Sequence, residues 1–89
     1  NDSFYARLFS HLSRYKRPQQ KQGTVQLRFT MDRAGHVLAA SIAQSSGVPE
    51  LDAEALALVL RAQPLPAIPS DMPQDRLELI IPIEFTLHR

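Results

Sequence analysis

Apolar residues recur at helical spacing over residues 3–16, where Phe4, Tyr5, Leu8, Phe9, Leu12 and Tyr15 share one face. This predicts a first helix, stopped by Pro18. The period then changes to two. Val25, Leu27, Phe29 and Met31 alternate with Thr24, Gln26, Arg28 and Thr30, the pattern of a half-buried strand over 24–31. The turn "DRAG" follows, with Asp32 where it can start a turn and Gly35 where a positive φ costs little, and a second strand over 36–44 completes a hairpin. That second arm alternates poorly. Val37 falls on one face while Leu38, Ala40 and Ile42 fall on the other, so a bulge near 38–40 is expected to restore the register.

A second helix is predicted to start at Pro49, with Arg61 near its end. Proline suits the first helical position, Glu50, Asp52 and Glu54 suit the positive pole of the helix dipole, and Arg61 suits the negative one. Leu51, Ala55, Leu56, Val59 and Leu60 are expected to face inward. Pro64, Pro66, Pro69 and Pro73 crowd the next thirteen residues too densely for regular structure. This stretch is expected to lie along the core as an extended connector, pinned by Leu65, Ile68 and Met72, with a polyproline II docking surface as the alternative use.

The run "LELIIPIEF" at 77–85 then alternates again, with Leu77, Leu79, Ile81, Ile83, Phe85 and Leu87 on one apolar face. Helix, strand, strand, helix, strand is an α+β order. A right-handed crossover through the second helix puts the third strand beside the first, giving a two-layer fold with a three-stranded sheet of order 2-1-3 and both helices on its apolar face. Pro82 agrees with this topology. Proline lacks the N–H that a central ladder needs but is tolerated where that bond would face an open edge. Backbone groups alternate in direction along a strand, so if Pro82 faces outward, Glu78, Ile80, Glu84 and Thr86 do too, while Leu79, Ile81 and Ile83 pair with the first strand. Such an edge either deters unwanted pairing through Pro82, Glu78 and Glu84 or accepts a partner strand.

Composition sets bounds on these choices. Eighty-nine residues, 44% of them hydrophobic, suit one small domain, 1–89. With no cysteine, packing and backbone hydrogen bonds must hold it without disulfides or thiolate metal sites. The net charge of +1 conceals a basic first third carrying Arg7, Arg14, Lys16, Arg17, Lys21, Arg28 and Arg33. That cluster is either a solvated face or a surface for an acidic partner. The chain begins inside an amphipathic segment without an initiator methionine, and is expected to be a domain excised from a longer protein.

Three pieces in order, "GTVQLRFTMDRAGHV" (23–37), "SSGVPELDAEAL" (45–56) and "LELIIPIEF" (77–85), resemble the C-terminal domain of TonB-type energy transducers. With the leading helix the likeness covers nearly the whole chain. The resemblance implies a periplasmic domain of an inner-membrane-anchored protein in a Gram-negative bacterium, tethered by a proline-rich stretch and working with ExbB and ExbD. It also implies binding of the TonB box, a short motif of outer-membrane receptors for siderophores, haem or cobalamin, as a strand added beside the last strand. Carried over, the accepting residues are Glu78, Ile80, Pro82, Glu84 and Thr86. Many members place Tyr-Pro-x-x-Ala about eleven residues before the glycine matching Gly23, whereas here Tyr15 is followed by Lys16 and stands eight residues before it. The segment 16–22 is therefore either naturally short for the family or lacks residues of the natural chain. No role is carried over from that motif; Arg14, Tyr15 and Arg17 are named only as neighbours within reach of a partner, with Tyr15 expected in core packing. A homodimer through the same edge is the other use of an open third strand.

Candidate chemistry is sparse. His11, His36 and His88 have no spacing that gathers them on a metal, and Ser45 and Ser46 have no partnered His and Asp, which makes them turn formers. Asp52 and Glu54 lie on different helix faces, and three scattered glycines form no phosphate cradle. No catalysis and no cofactor are expected. A nucleic-acid module is the rival from another class, but the sheet's polar face offers Thr24, Gln26, Arg28 and Thr30 without stacking aromatics, so no nucleic acid is expected. A TolA-like periplasmic adaptor shares the architecture, but the disulfide expected of that group is missing.

Overall fold

The computed structural model describes residues 2–86; the expected inward place of Leu87, and His88, lie outside them. Five elements follow in order: α1 (Asp2–Tyr15), β1 (Gly23–Asp32), β2 (Val37–Gln44), α2 (Pro49–Arg61) and β3 (Arg76–Phe85). The sheet has the order β2-β1-β3, with β1 antiparallel to both neighbours. This is the α+β arrangement that the strand alternation and Pro82 imply.

The alternation along β1 becomes a burial pattern. Val25, Leu27, Phe29 and Met31 are at most 1% exposed and form the floor of one core. Phe4, Leu8 and Leu12 of α1 close over it, joined by Leu51, Ala55, Leu58 and Val59 of α2 and by Leu77, Ile81, Ile83 and Phe85 of β3. Burying side chains of this size contributes about 1.5–3 kcal/mol each before entropy is subtracted. The inward stripe of α2 differs from expectation. Leu58 is buried and Leu60 is 53% exposed, because counting from Leu51 in steps of four, three, one and three reaches Ala55, Leu58, Val59 and Ala62.

The β1–β2 ladder contains the expected bulge and a second one. Thr30 pairs with Ala39 and Met31 with Val37, which leaves Leu38 as the extra residue and returns Val37 to the inward face. Gln26 pairs with Gln44 and Leu27 with Ile42, so Ala43 is extra as well.

The hairpin turn does more than reverse the chain. Asp32 Oδ1 accepts the backbone N–H groups of Ala34 and His36 at 3.0 and 2.9 Å, and these bonds, that of His36 foremost, hold its carboxyl below the usual range. The turn then grips the proline-rich connector. Arg33 donates to the carbonyls of Met72 (2.8 Å), Gln74 (2.6 Å) and Pro69 (3.0 Å), its own carbonyl accepts Ile68 N–H (3.0 Å), and Gly35 O accepts Leu65 N–H (2.8 Å). Leu65 and Ile68 are buried, as expected, and Met72 packs partly against the core. A connector without a ladder of its own thus borrows one from the turn.

Asp52 closes the loop before α2. Its carboxylate accepts the Ser45 hydroxyl, the Ser46 N–H (3.0 Å) and the Ser46 hydroxyl (2.9 Å), so both serines act as turn formers. The Ser45 hydroxyl first, and then Ser46 N–H, hold Asp52 below its ordinary value of 3.8. A carboxyl lowered in the folded state stabilises above the unfolded value, and that contribution is lost as pH falls through the lower folded value. Asp52→Ala should therefore cost about 1 kcal/mol near neutrality, since the site is largely solvated. Urea denaturation along an acid series should show the difference shrinking below pH 3.8.

Candidate functional site

β3 pairs with β1 without interruption from Gly23↔Phe85 to Asp32↔Arg76, and among the described residues no strand pairs with its other side. Pro82 stands opposite Gln26. A pair containing proline cannot exchange two N–H···O bonds, so Gln26↔Pro82 is of the non-bonded kind and its neighbours Leu27↔Ile81 and Val25↔Ile83 are the bonded kind. By alternation, the N–H and C=O groups of Glu78, Ile80 and Glu84 point to the open edge. Their side chains are exposed on the sheet's outer face, Ile80 at 53%. Thr86 lies just past the end of β3.

The C-terminal end of α1 stands over this edge. Phe9 and Ser13 of α1, with Lys16 just past its end, face Pro82, Ile83 and Glu84 across a narrow cleft that Leu12 and Leu58 also line. Lys16 reaches the strand itself: its ammonium donates to Glu84 O at 2.6 Å and lies 5.9 Å from the centre of the Phe85 ring. A hollow of about 240 Å³ continues past it between Arg17, Pro18, Phe85 and Thr86.

α2 fixes the end of α1 in that position. Arg61 donates to Tyr15 O through Nε (3.2 Å) and Nη2 (2.8 Å), and to Glu54 Oε2 at 2.5 Å. Glu54, with a side chain only 11% exposed, also accepts Arg17 N–H at 3.4 Å. One turn back, His11 Nε2 donates to Ala62 O at 2.7 Å. The orphan carbonyl at the end of α1 thus finds its donor on α2. Arg61→Ala should strand both Glu54 and that carbonyl, costing about 1–3 kcal/mol in denaturant unfolding. Amide exchange should quicken selectively in the last turn of α1.

The residues that sequence reasoning singled out divide between two places. Glu78, Ile80, Pro82 and Glu84 lie in a row on β3, and Arg17 lies beside the strand's end. Arg14 does not. It lines a separate hollow with Arg7, Ser10, His11 and Pro66, on another side of α1. Tyr15 is 41% exposed, against the expectation of core packing; its ring lies 5.2 Å from His11, and its carbonyl is the group held by Arg61. The residues missed were Lys16 and Phe9, whose sequence signals were ambiguous. Lys16 read as one cation of the basic first third, and Phe9 read as part of the apolar helix face although it is 40% exposed beside the edge. Among the described residues, no three His, Cys, Asp or Glu side chains gather as metal ligands, and no helix is long and apolar enough to cross a membrane.

With that geometry in hand, comparison with known proteins assigns the fold a lineage. The sequence model described as the Gram-negative bacterial TonB protein C-terminal family matches residues 11–87. The chain belongs to the TonB C-terminal family. This TonB-family domain is 38% identical over 71 residues to protein TonB of Pasteurella multocida (strain Pm70), covering 80% of the domain and 27% of that protein's length. The match therefore spans about a quarter of the relative. A solved structure of the HasB C-terminal domain is 43% identical, with a TM-score of 0.68 over all of this chain and 73% of that one. The Helicobacter pylori TonB C-terminal domain shares the fold at a TM-score of 0.81 and 22% identity, over all of this chain and 85% of that one.

Proposed function

We propose that the domain is the periplasmic receptor-binding part of an energy transducer, acting as a binding module and not as an enzyme. In this role it takes the TonB box of outer-membrane TonB-dependent transporters as a fourth strand along β3. The transducer spends the proton gradient, gathered by ExbB and ExbD, on uptake of siderophores, haem or cobalamin. The observation that carries the reading is the open edge of β3, with Pro82 facing outward in an otherwise regular ten-residue strand. Main-chain bonds along such an edge supply affinity, and neighbouring side chains supply selectivity.

The register also suits a mechanical load. A peptide pulled along β3 shears the sheet lengthwise, and every bonded pair of the β1–β3 ladder shares the force. A labelled TonB-box peptide should bind saturably in fluorescence anisotropy, while a peptide of the same composition with its alternation scrambled should not. Equal binding of the two would remove the proposal. A second copy of the domain competes for the same edge, so Pro82→Ala, which adds an outward N–H, should raise self-association in sedimentation without lowering stability by more than about 0.5 kcal/mol.

A further inference from the structure

Lys16 is an unusual surface lysine. The backbone is pinned on both sides of it, by Arg61 at Tyr15 O and by Glu54 at Arg17 N, and Pro18 restricts the exit of the chain. Its ammonium is thereby aimed at the β3 edge, where its partners among the described residues are one carbonyl, Glu84 O, and one ring face, Phe85. Among the described residues it has no counter-charge. The Glu84 carboxylate cannot supply one easily, because that side chain projects from the outer face of the sheet while Lys16 approaches from the helix layer.

An added strand changes what surrounds this cation. Glu84 O points to the open edge, so a partner N–H competes with Lys16 for it. Side chains of adjacent strands share faces, so the partner residue beside Phe85 turns toward the helix layer and meets Lys16. The partner residue beside Ile83, two positions away, turns the same way and meets the part of the cleft lined by Phe9, Leu12 and Ile83. Resting on the strand-addition reading above, we propose that Lys16 guards the empty edge by occupying Glu84 O, and on binding swings to a carboxylate of the incoming strand. It thereby selects peptides that carry an acidic and an apolar side chain two residues apart on the helix-facing side. An ammonium offered one carbonyl and a ring gains an ion pair when a carboxylate arrives, and the carbonyl it leaves is taken by the partner N–H.

The test uses capped octapeptides of alternating Thr and Val in which Glu replaces each helix-facing residue in turn, each with a Gln twin. Amide shifts of the domain report the binding. At low salt, one Glu position should bind roughly two- to fivefold tighter than its twin, the range of an exposed ion pair. The preference should fall in high salt and vanish in Lys16→Gln, whose thermal stability should be unchanged because the residue is exposed. Lys16→Gln without peptide should also move the Glu84 carbonyl carbon resonance. If both members of every twin pair bind along Ile80 and Glu84 equally, or the preference survives in Lys16→Gln, the role of Lys16 is overturned while strand addition stands. If no peptide perturbs those amides, both fall.

Discussion

Ile81→Pro should unfold the domain, whereas Ile80→Pro, one residue earlier, should leave it folded but weakened in pairing a partner. Ile81 is 5% exposed and stands opposite Leu27 in a bonded pair. Proline there removes a ladder N–H, leaves the Leu27 carbonyl without its partner at about 1–3 kcal/mol, forces its ring between β3 and β1, and exchanges a buried isoleucine for a shorter side chain. The sum approaches the lower end of the roughly 5–15 kcal/mol typical of a whole domain's stability, where a domain with one small core lies. Ile80 is 53% exposed, and its N–H faces the open edge, as that of residue 82 would. Its replacement repeats a feature β3 already tolerates and should cost less than about 1 kcal/mol. Circular dichroism with urea denaturation separates the two variants, and peptide titration of Ile80→Pro should show weakened binding with the fold intact. Two folded variants, or two unfolded ones, would mean that the strand's bonding parity is wrong.

Gly35→Ala should be the costliest change outside the strands. Gly35 has φ of +94°, and a Cβ placed there would lie 2.0 Å from Leu65 O, a backbone atom that cannot step aside without breaking the bond from Leu65 N–H to Gly35 O. Strain at a positive φ and loss of the connector's grip together should cost about 3 kcal/mol or more. Gly47→Ala is the internal control. Gly47 also has a positive φ, +86°, but a Cβ there meets nothing within 4 Å, so only the conformational part remains, about 1–2 kcal/mol. Equal losses in urea denaturation would show that the close approach to the connector contributes nothing.

The contrast between these two glycines marks what could be read from the sequence. Period-two alternation at Val25, Leu27, Phe29 and Met31, helical spacing from Phe4 to Leu12, and one proline in a strand are local patterns. Together they carried the element order, the sheet order and the edge. The first bulge was legible because a break in alternation is also local; the one at Ala43 was not, since it falls near the end of β2 where few residues remain to show a change of face. Leu58 and Leu60 were exchanged because α2 is apolar on more than one side, with Leu56, Leu58, Val59 and Leu60 in a near-continuous run.

The site was legible along β3 and obscure beside it. Pro82 declares the direction of its neighbours' backbone groups with no knowledge of what lies opposite. Lys16 declares nothing until Arg61 and Glu54, on another helix, fix the end of α1 over Glu84. The grip of Arg33 on Pro69, Met72 and Gln74 was hidden for the same reason: it joins residues far apart in sequence through carbonyls that every residue possesses.

Strand addition along β3 is tested most directly by through-hydrogen-bond scalar couplings in the complex of the isotope-labelled domain with a TonB-box peptide. The account predicts couplings from the amides of Ile80 and Glu84 to peptide carbonyls, none from Leu79, Ile81 or Ile83, and a gap at Pro82. Couplings from Leu79 or Ile81 to the peptide, or a bound peptide with no coupling to β3 at all, would contradict it.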